Sequence, residues 1–317
     1  MGGPGPTTGE HRVKVSGFTI ARNAIQYGYP IEQSLRSLLP LVDELVVAVG
    51  ESEDDTWGLV SGIGDAKIKP FKTTWDMSKR EGGQVLSEQT NLALERCTGD
   101  WAVYLQSDEV LHEDEIATIH DRLEKHLNSA TEALSFLYVH FYGSYSTVQD
   151  NWCAWYRREV RAVKTGKNIV SVGDAAGFKL RDGHRLRRLI RADAGAHVYH
   201  YGWVRPPAVM VDKQQASVRL YEGEGSQFAI PEYARINPAE PYNMLGNLRR
   251  FTGSHPGPMQ SAARAQTWTF ADEIDRQPPR WLRYLRMLVS CPRDSMRVLV
   301  SRLLLTWNTY LPSPKLR

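Results

Sequence analysis

The chain has 317 residues, 42% of them apolar, enough for one large domain with an appendage, which excludes a wholly disordered protein. Its formal charge of +3 is unevenly divided: residues 280–317 carry eight Lys or Arg and one acid, Asp294, which leaves residues 1–279 at −4. A nucleic-acid binder carries its basic footprint on the folded domain, so this split argues against nucleic acid as a partner.

Residues 1–11 open on a turn-rich stretch with no apolar run and no charged leader, the composition of a loose tail rather than a signal peptide. Three distant cysteines, Cys97, Cys153 and Cys291, give neither a disulfide framework nor CxxC spacing for zinc. No Asn-x-Ser/Thr acceptor occurs, and together these features fit a cytoplasmic location.

Val13 to Ile20 predicts a first strand. Ile31, Leu35, Leu38 and Leu39 form one apolar helix face ending near Pro40, and Leu45 to Val49 predicts a short buried strand. After a loop, Ser87 to Arg96 predicts a helix, Thr98-Gly99-Asp100 a turn, and Trp101 to Leu105 a strand. A helix from Glu113 with Ile116, Ile119, Leu123 and Leu127 on one face precedes a strand from Ala133 to Tyr142. Trp152 to Val163 is aromatic, arginine-rich and strand-like. Residues 164–210 are Gly-rich and irregular, the expected place for specificity loops. The alternation is that of an α/β, doubly wound sheet, in which ligands bind outside the C-terminal ends of the strands.

Polar clusters stand at three such ends: Asn23 after the first strand, Gly50 to Thr56 after the second, and Gln106-Ser107-Asp108-Glu109 after the strand at Trp101. Two adjacent carboxylates beside an apolar strand are costly to desolvate unless a cation or partner neutralises them, and a hard divalent metal with oxygen ligands does so. The alternative for Asp108-Glu109 is a solvated turn bearing helix-starting acids. Gly62-x-Gly64 lacks a third glycine, Ile116 stands where a zincin needs its second histidine, and no Gly-x-Ser-x-Gly elbow is present, which removes dinucleotide, metalloprotease and α/β-hydrolase readings.

The segments Ser16 to Asn23, Leu41 to Thr56 and Gly99 to Val110 together resemble the family 2 glycosyltransferases, in residue type, order and spacing. The resemblance covers roughly residues 13 to 210. It implies a GT-A fold, a Rossmann-like mixed sheet flanked by helices, with a nucleotide-diphosphate sugar donor such as a UDP- or GDP-sugar. It also implies hexosyltransferase-like transfer with inversion, and Mn²⁺ or Mg²⁺ as cofactor. Carried over by position, Thr19, Arg22 and Asn23 line the nucleotide site, Glu51 and Asp54 contact base and ribose, and Gln106 and Ser107 lie beside the diphosphate. Asp108 matches the final acid of the DxD-like metal motif. Gln106 departs from the pattern, since many members have an acid there, and this keeps open a non-catalytic nucleotide-sugar or glycan-binding module.

The segment His197 to Pro207 concentrates aromatic, imidazole and guanidinium groups suited to a sugar face and a diphosphate. His200 is a candidate further metal ligand. The alternative is that His197 and His200 are hydrogen-bonded groups packing a strand. The general base is sought among later acids, with Asp174 first, in a small-residue stretch that also suits an ordinary turn, and Asp182 and Glu109 as alternatives.

The expected organisation is a tail at 1–11, a GT-A domain at 12–225, a loop-rich connector at 226–279 and a basic amphipathic helical tail at 280–317. Between 280 and 311 arginines alternate with Trp and Leu, which suits peripheral contact with an anionic membrane, and also suits packing on the domain. A glycan or lipid-linked acceptor is the expected second substrate.

Overall fold

The computed structural model describes residues 12–150, 155–222 and 247–270, with Pro279, Trp281, Leu282 and Leu285 as isolated positions. The N-terminal tail, Cys153, Cys291, parts of the connector and nearly all of the basic tail lie outside the described residues.

The first half alternates strand and helix: β1 (Val15–Ala21), α1 (Ile31–Leu38), β2 (Glu44–Gly50), α2 (Thr56–Ser61), β3 (Ile68–Thr73), α3 (Gln84–Leu94) and β4 (Trp101–Tyr104). Then come β5 (Glu109–Val110), α4 (Ile116–His126), β6 (Ala133–Tyr142), β7 (Ser144–Gln149), β8 (Arg158–Lys164), β9 (Ile169–Val172), β10 (Gly177–Asp182) and β11 (Arg185–Arg187). The last elements are β12 (Arg191–Trp203), α5 (Pro207–Glu222), β13 (Leu248–Arg250) and α6 (Gln260–Arg264). The main sheet runs β13-β7-β6-β8-β4-β1-β2-β3, with β12 pairing β6 and β5, and β9 to β11 form a separate small sheet.

Strands β4, β1, β2 and β3 are parallel, and β1 and β2 are buried at every residue. Helices cover both faces of such strands, which is why β2 appears in the sequence as an unbroken apolar run. The sheet then changes character: β8 pairs antiparallel to β4, and β6 antiparallel to β8.

Several elements depart from the sequence expectation. The segment expected as a loop after β2 contains α2 and β3. Helix α2 is too short for a periodic signal, and Asp55 caps it by accepting from Gly58 N at 2.9 Å. Strand β3 contains Pro70, which is tolerated because β3 lies at the sheet edge. The region expected to be irregular up to residue 210 holds β9 to β12 and the start of α5. In β12 the regular pairing with β6 slips between Asp193 and His197, around Gly195 at φ +69°, and such a bulge blurs the alternation that marks a strand.

At the N-terminal end of β2, Glu44 is 3% exposed and joins three segments. Its Oε1 accepts from Ser16 Oγ, Thr98 N and Thr98 Oγ1, each at 2.7 Å, and its Oε2 from Lys69 Nζ at 2.6 Å. Burial pushes its pKa up, but these donors outweigh it and hold the carboxyl at about 2. A depressed folded-state pKa contributes stability that is fully present above the unfolded value of 4.5 and is lost as pH falls towards 2. Glu44→Gln is expected to cost on the order of 2 kcal/mol at pH 7 and to flatten the acid limb of stability between the two values. Urea midpoints of both proteins at pH 7 and pH 3 measure this, and equal midpoints at pH 7 would show that the network ties nothing together.

Candidate active site

Because β1, β2 and β4 are parallel, the residues following them emerge at one edge of the sheet. A cleft of about 490 Å³ opens there. Its floor is the chain after β1 and β4, with Arg22, Asn23, Gln106, Ser107 and Asp108; one wall carries Tyr156, His200 and Trp203. Helix α5 roofs it with Lys213, Ala216, Ser217, Leu220 and Tyr221, positions spaced along a single helix face. The turn between β9 and β10, with Asp174, Ala175 and Ala176, forms a lip.

Seven residues expected from the sequence meet in this cleft: Arg22, Asn23, Gln106, Ser107, Asp108, Asp174 and His200. Arg22 donates from Nε to the Glu51 carbonyl at 2.9 Å, and its guanidinium lies 5.4 Å from the Trp75 ring centroid. Asn23, at φ 51°, accepts at Oδ1 from Glu53 N at 2.8 Å and so joins the loops after β1 and β2. The Ser107 hydroxyl donates to the Ile20 carbonyl at 2.7 Å.

Thr19, Glu51, Asp54 and Glu109 are not among the lining residues. Thr19 is fully buried inside β1, and its neighbour Ile20 reaches the cleft instead. Asp54 accepts from Gln26 N at 2.7 Å, from Thr56 N at 2.9 Å and from the Thr56 hydroxyl, so it clamps the loop shut. Glu51 accepts from Thr74 Oγ1 at 3.1 Å, and it is Glu53 that lines the cleft. A loop has no periodicity, so the sequence does not say which of its acids faces inward.

Glu109, expected as an alternative base, stands away from the cleft. It is 0% exposed, and Arg161 donates to it through Nε and Nη2, both at 2.8 Å. Tyr138 Oη donates to Oε1 at 2.7 Å and Gln106 N to Oε2 at 3.0 Å. Both oxygens are engaged behind the cleft wall. Asp182 stands at the exposed end of β10, outside the cleft.

Strand β5 pairs antiparallel with β12, placing His200 opposite Glu109 and hence beside Asp108. His200 Nε2 lies 3.8 Å from Asp108 Oδ1, and both residues are under a tenth exposed. Gly202 clears the space between them: a Cβ there would stand 2.9 Å from Asp108 Oδ2 and would collide with His200 Nε2. Burial raises the Asp108 pKa, but His200, Lys213 and Arg205 outweigh it and keep the carboxylate below its usual value. Burial lowers the Lys213 amine to about 7, assisted by Arg205; Lys213 also donates to the Gly202 carbonyl at 2.7 Å. His197 binds Glu115 at 2.7 Å instead of entering the cleft, and Arg205 turns back onto the Gly202 carbonyl. Among the described residues, a three-ligand cluster able to hold a metal occurs at His120, Asp121 and Glu124, on α4 and outside the cleft. Trp75, Tyr156 and Lys213 were not singled out from the sequence; for Lys213, the helical spacing of residues 213 to 221 was the available signal.

Removing one partner of a fully buried ion pair strands the other charge. Glu109→Gln is therefore expected to lower unfolding stability by about 3 to 5 kcal/mol, measured by urea denaturation. A loss below about 1 kcal/mol would mean that Arg161 finds another counter-charge.

Residues 18–182 match the model of Glycosyl transferase family 2. No curated protein matches the sequence. Among solved structures, TarS of S. aureus, residues 1–349 in complex with UDP, is similar at 14% identity and a TM-score of 0.38 over 65% of each chain. A longer TarS chain matches at 12% identity and a TM-score of 0.37 over 68% of this chain, which spans 41% of TarS. Glucosyl-3-phosphoglycerate synthase of Mycobacterium tuberculosis, in complex with Mn²⁺, UDP and phosphoglyceric acid, matches at 23% identity and a TM-score of 0.28, over 44% of this chain and 49% of its own. The family match covers more than half of the chain and spans β1 to β10, including the floor of the cleft and the Asp174 lip. The chain belongs to glycosyl transferase family 2, and its mixed sheet, parallel from β3 to β4 and with both antiparallel and parallel pairings beyond, is a GT-A fold.

Proposed function

We propose that the chain transfers a sugar from a nucleoside-diphosphate donor to an acceptor hydroxyl, with inversion and with a divalent cation, Mn²⁺ or Mg²⁺, held by Asp108 and His200. The observation that carries this reading is the pair itself: a carboxylate oxygen and an imidazole nitrogen facing each other across 3.8 Å in a cleft, with Gly202 keeping the space clear. One carboxylate and one imidazole leave coordination positions for substrate phosphates and water, which suits Mn²⁺ or Mg²⁺. When bound, such a cation supplies charge to stabilise the departing diphosphate.

The chain's own residues supply the rest. Arg22 and Trp75, in contact with each other, offer a flat cationic surface against which a nucleobase can lie, with Asn23 and Glu53 beside it. Lys213 brings a second cation to the roof, and an approaching diphosphate favours its charged form. Trp203 and Tyr156 offer aromatic faces to a sugar. Inversion by single displacement needs a base at the acceptor hydroxyl. Asp174 suits that role, being exposed on the lip with a carboxylate that meets Ala176 N only at 3.3 Å. Asp182 and Glu109 do not line the cleft, which supports Asp174 over those two.

A second reading, a nucleotide-sugar or glycan-binding module without turnover, draws on Gln106, which lines the floor and brings no charge. One experiment separates the two. Calorimetry with UDP and GDP, with and without Mn²⁺, is expected to show metal-dependent binding that Asp108→Asn abolishes and Asp174→Asn retains. With a UDP- or GDP-sugar donor, Asp174→Asn is expected to lower kcat by about 10² to 10⁴, the usual contribution of a general base. Unchanged nucleotide affinity in folded Asp108→Asn would overturn the metal assignment, and wild-type turnover in Asp174→Asn would exclude it as base.

The acceptor, a glycan or a lipid-linked group, and peripheral membrane contact through residues 280–311 belong to the same proposal. Among the described residues no helix is long and apolar enough to cross a membrane. Co-sedimentation with anionic liposomes is expected to be stronger for the full chain than for residues 1–279, and equal, negligible binding of both would end the membrane reading.

A further inference from the structure

His140 does not line the cleft, yet it touches a residue that does. It lies on β6, and the parallel pairing of β12 with β6 sets His200 directly beside it. It is 4% exposed. Its Nδ1 stands 2.9 Å from His200 Nδ1, and its Nε2 stands 2.7 Å from the Tyr156 carbonyl oxygen.

These two contacts determine where the protons are. A carbonyl oxygen only accepts, so His140 Nε2 carries a hydrogen. A neutral imidazole carries one hydrogen, so with that hydrogen on Nε2 the His140 Nδ1 is a lone-pair acceptor. The hydrogen between the two Nδ1 atoms therefore belongs to His200. A neutral His200 with its hydrogen on Nδ1 has its Nε2 bare. That bare nitrogen faces the Asp108 carboxylate across 3.8 Å, an acceptor against an acceptor.

The arrangement is the reverse of what Asp108 alone would select. A histidine beside an ionised carboxylate normally turns an N–H towards it, since a charged acceptor makes the stronger hydrogen bond. We infer that His140 is a positioning residue: its Nδ1 holds His200 in the tautomer with Nε2 unprotonated and thereby makes His200 able to bind a divalent cation. The inference rests on the reading that Asp108 and His200 hold such a cation. Without an acceptor at position 140, the His200 Nδ1–H would be buried without that partner. The other tautomer, with Nε2–H donating to Asp108, would then prevail and could not bind metal.

Three substitutions separate the acceptor from mere packing. Asn places an amide oxygen near the position of Nδ1 and keeps the acceptor. Gln reaches towards the Tyr156 carbonyl but vacates the Nδ1 position, and Leu removes both polar atoms. Mn²⁺ affinity in the presence of UDP, read from the free-ion signal in electron paramagnetic resonance, is expected to fall by about 10- to 100-fold in His140→Leu and His140→Gln, with His140→Asn within a few-fold of wild type. Nitrogen NMR of the metal-free protein is expected to show His200 Nε2 bare in wild type and His140→Asn, and protonated in His140→Leu and His140→Gln. Thermal melts by circular dichroism select the folded variants; if Leu does not fold, the Asn and Gln pair decides. Equal affinity in all folded variants, or equal loss in Asn and Gln, would overturn the inference. Should wild type take up no Mn²⁺ with UDP, or should Asp108→Asn bind it as wild type does, the cation reading falls and the metal-directed role of His140 with it. The NMR tautomers then record which of the two failed: the proton placement or the metal.

Discussion

Taking a carboxylate and a guanidinium out of water costs several kcal/mol for each ion, recovered only when the geometry is close and the remaining polar atoms are met. Glu109 and Arg161 meet that condition with two parallel hydrogen bonds at 2.8 Å, completed by Tyr138 and the Gln106 amide. The pair fixes the short strand β5 against β8 and closes the turn after β4. Asp108 is the turn residue immediately before β5, and with Glu109 anchored inward it is Asp108 that lines the cleft. The same two residues of β5 pair with β12, which brings His200 from ninety residues further along the chain. The relation between Asp108 and His200 therefore depends on a salt bridge that touches no ligand.

The sheet divides its labour at the pairing of β4 with β8. On the parallel side, strand ends deliver the loops bearing Arg22, Asn23 and Glu53, cross-linked by Asn23 and Asp54 into one surface. Beyond β4, strands β6 and β12 and the segment leading into β8 deliver an aromatic and imidazole wall in which Tyr138, His140, Tyr156 and His200 are in ring contact. Burial of His140 and His200 in this wall gives a low-dielectric backing to the charges in front of it, and charges act more strongly there than in water. Helix α5 closes the top with Lys213. Burial brings that amine close to neutrality, while Asp108 stays ionised. The cleft thus holds an ionised carboxylate beneath an amine that lies close to neutrality.

The sequence by itself determined the parallel half of the fold and the floor of the cleft. Unbroken apolar runs in β2 and β4, and the helical spacing of Ile31, Leu35 and Leu38, follow from burial on both faces and on one face respectively. They place the polar clusters at strand ends, and Arg22, Asn23, Gln106, Ser107 and Asp108 do line the cleft. His200 and Asp174, carried by the family resemblance and by residue type, line it as well.

Only the tertiary structure decided which of two adjacent groups faces the cleft. Asp108 and Glu109 are equivalent in sequence, and an arginine fifty-two residues away separates them by claiming one. Asp54 and Glu53 differ in the same way, because the Gln26 amide, on another loop, takes Asp54. His140 had no local signal at all: its contact with His200 is set by strand register across sixty residues, and register is a property of the assembled sheet. Periodicity encodes which face of an element is buried. It does not encode which distant donor will meet a given side chain, and in this cleft that pairing decides which charged and imidazole groups face inward.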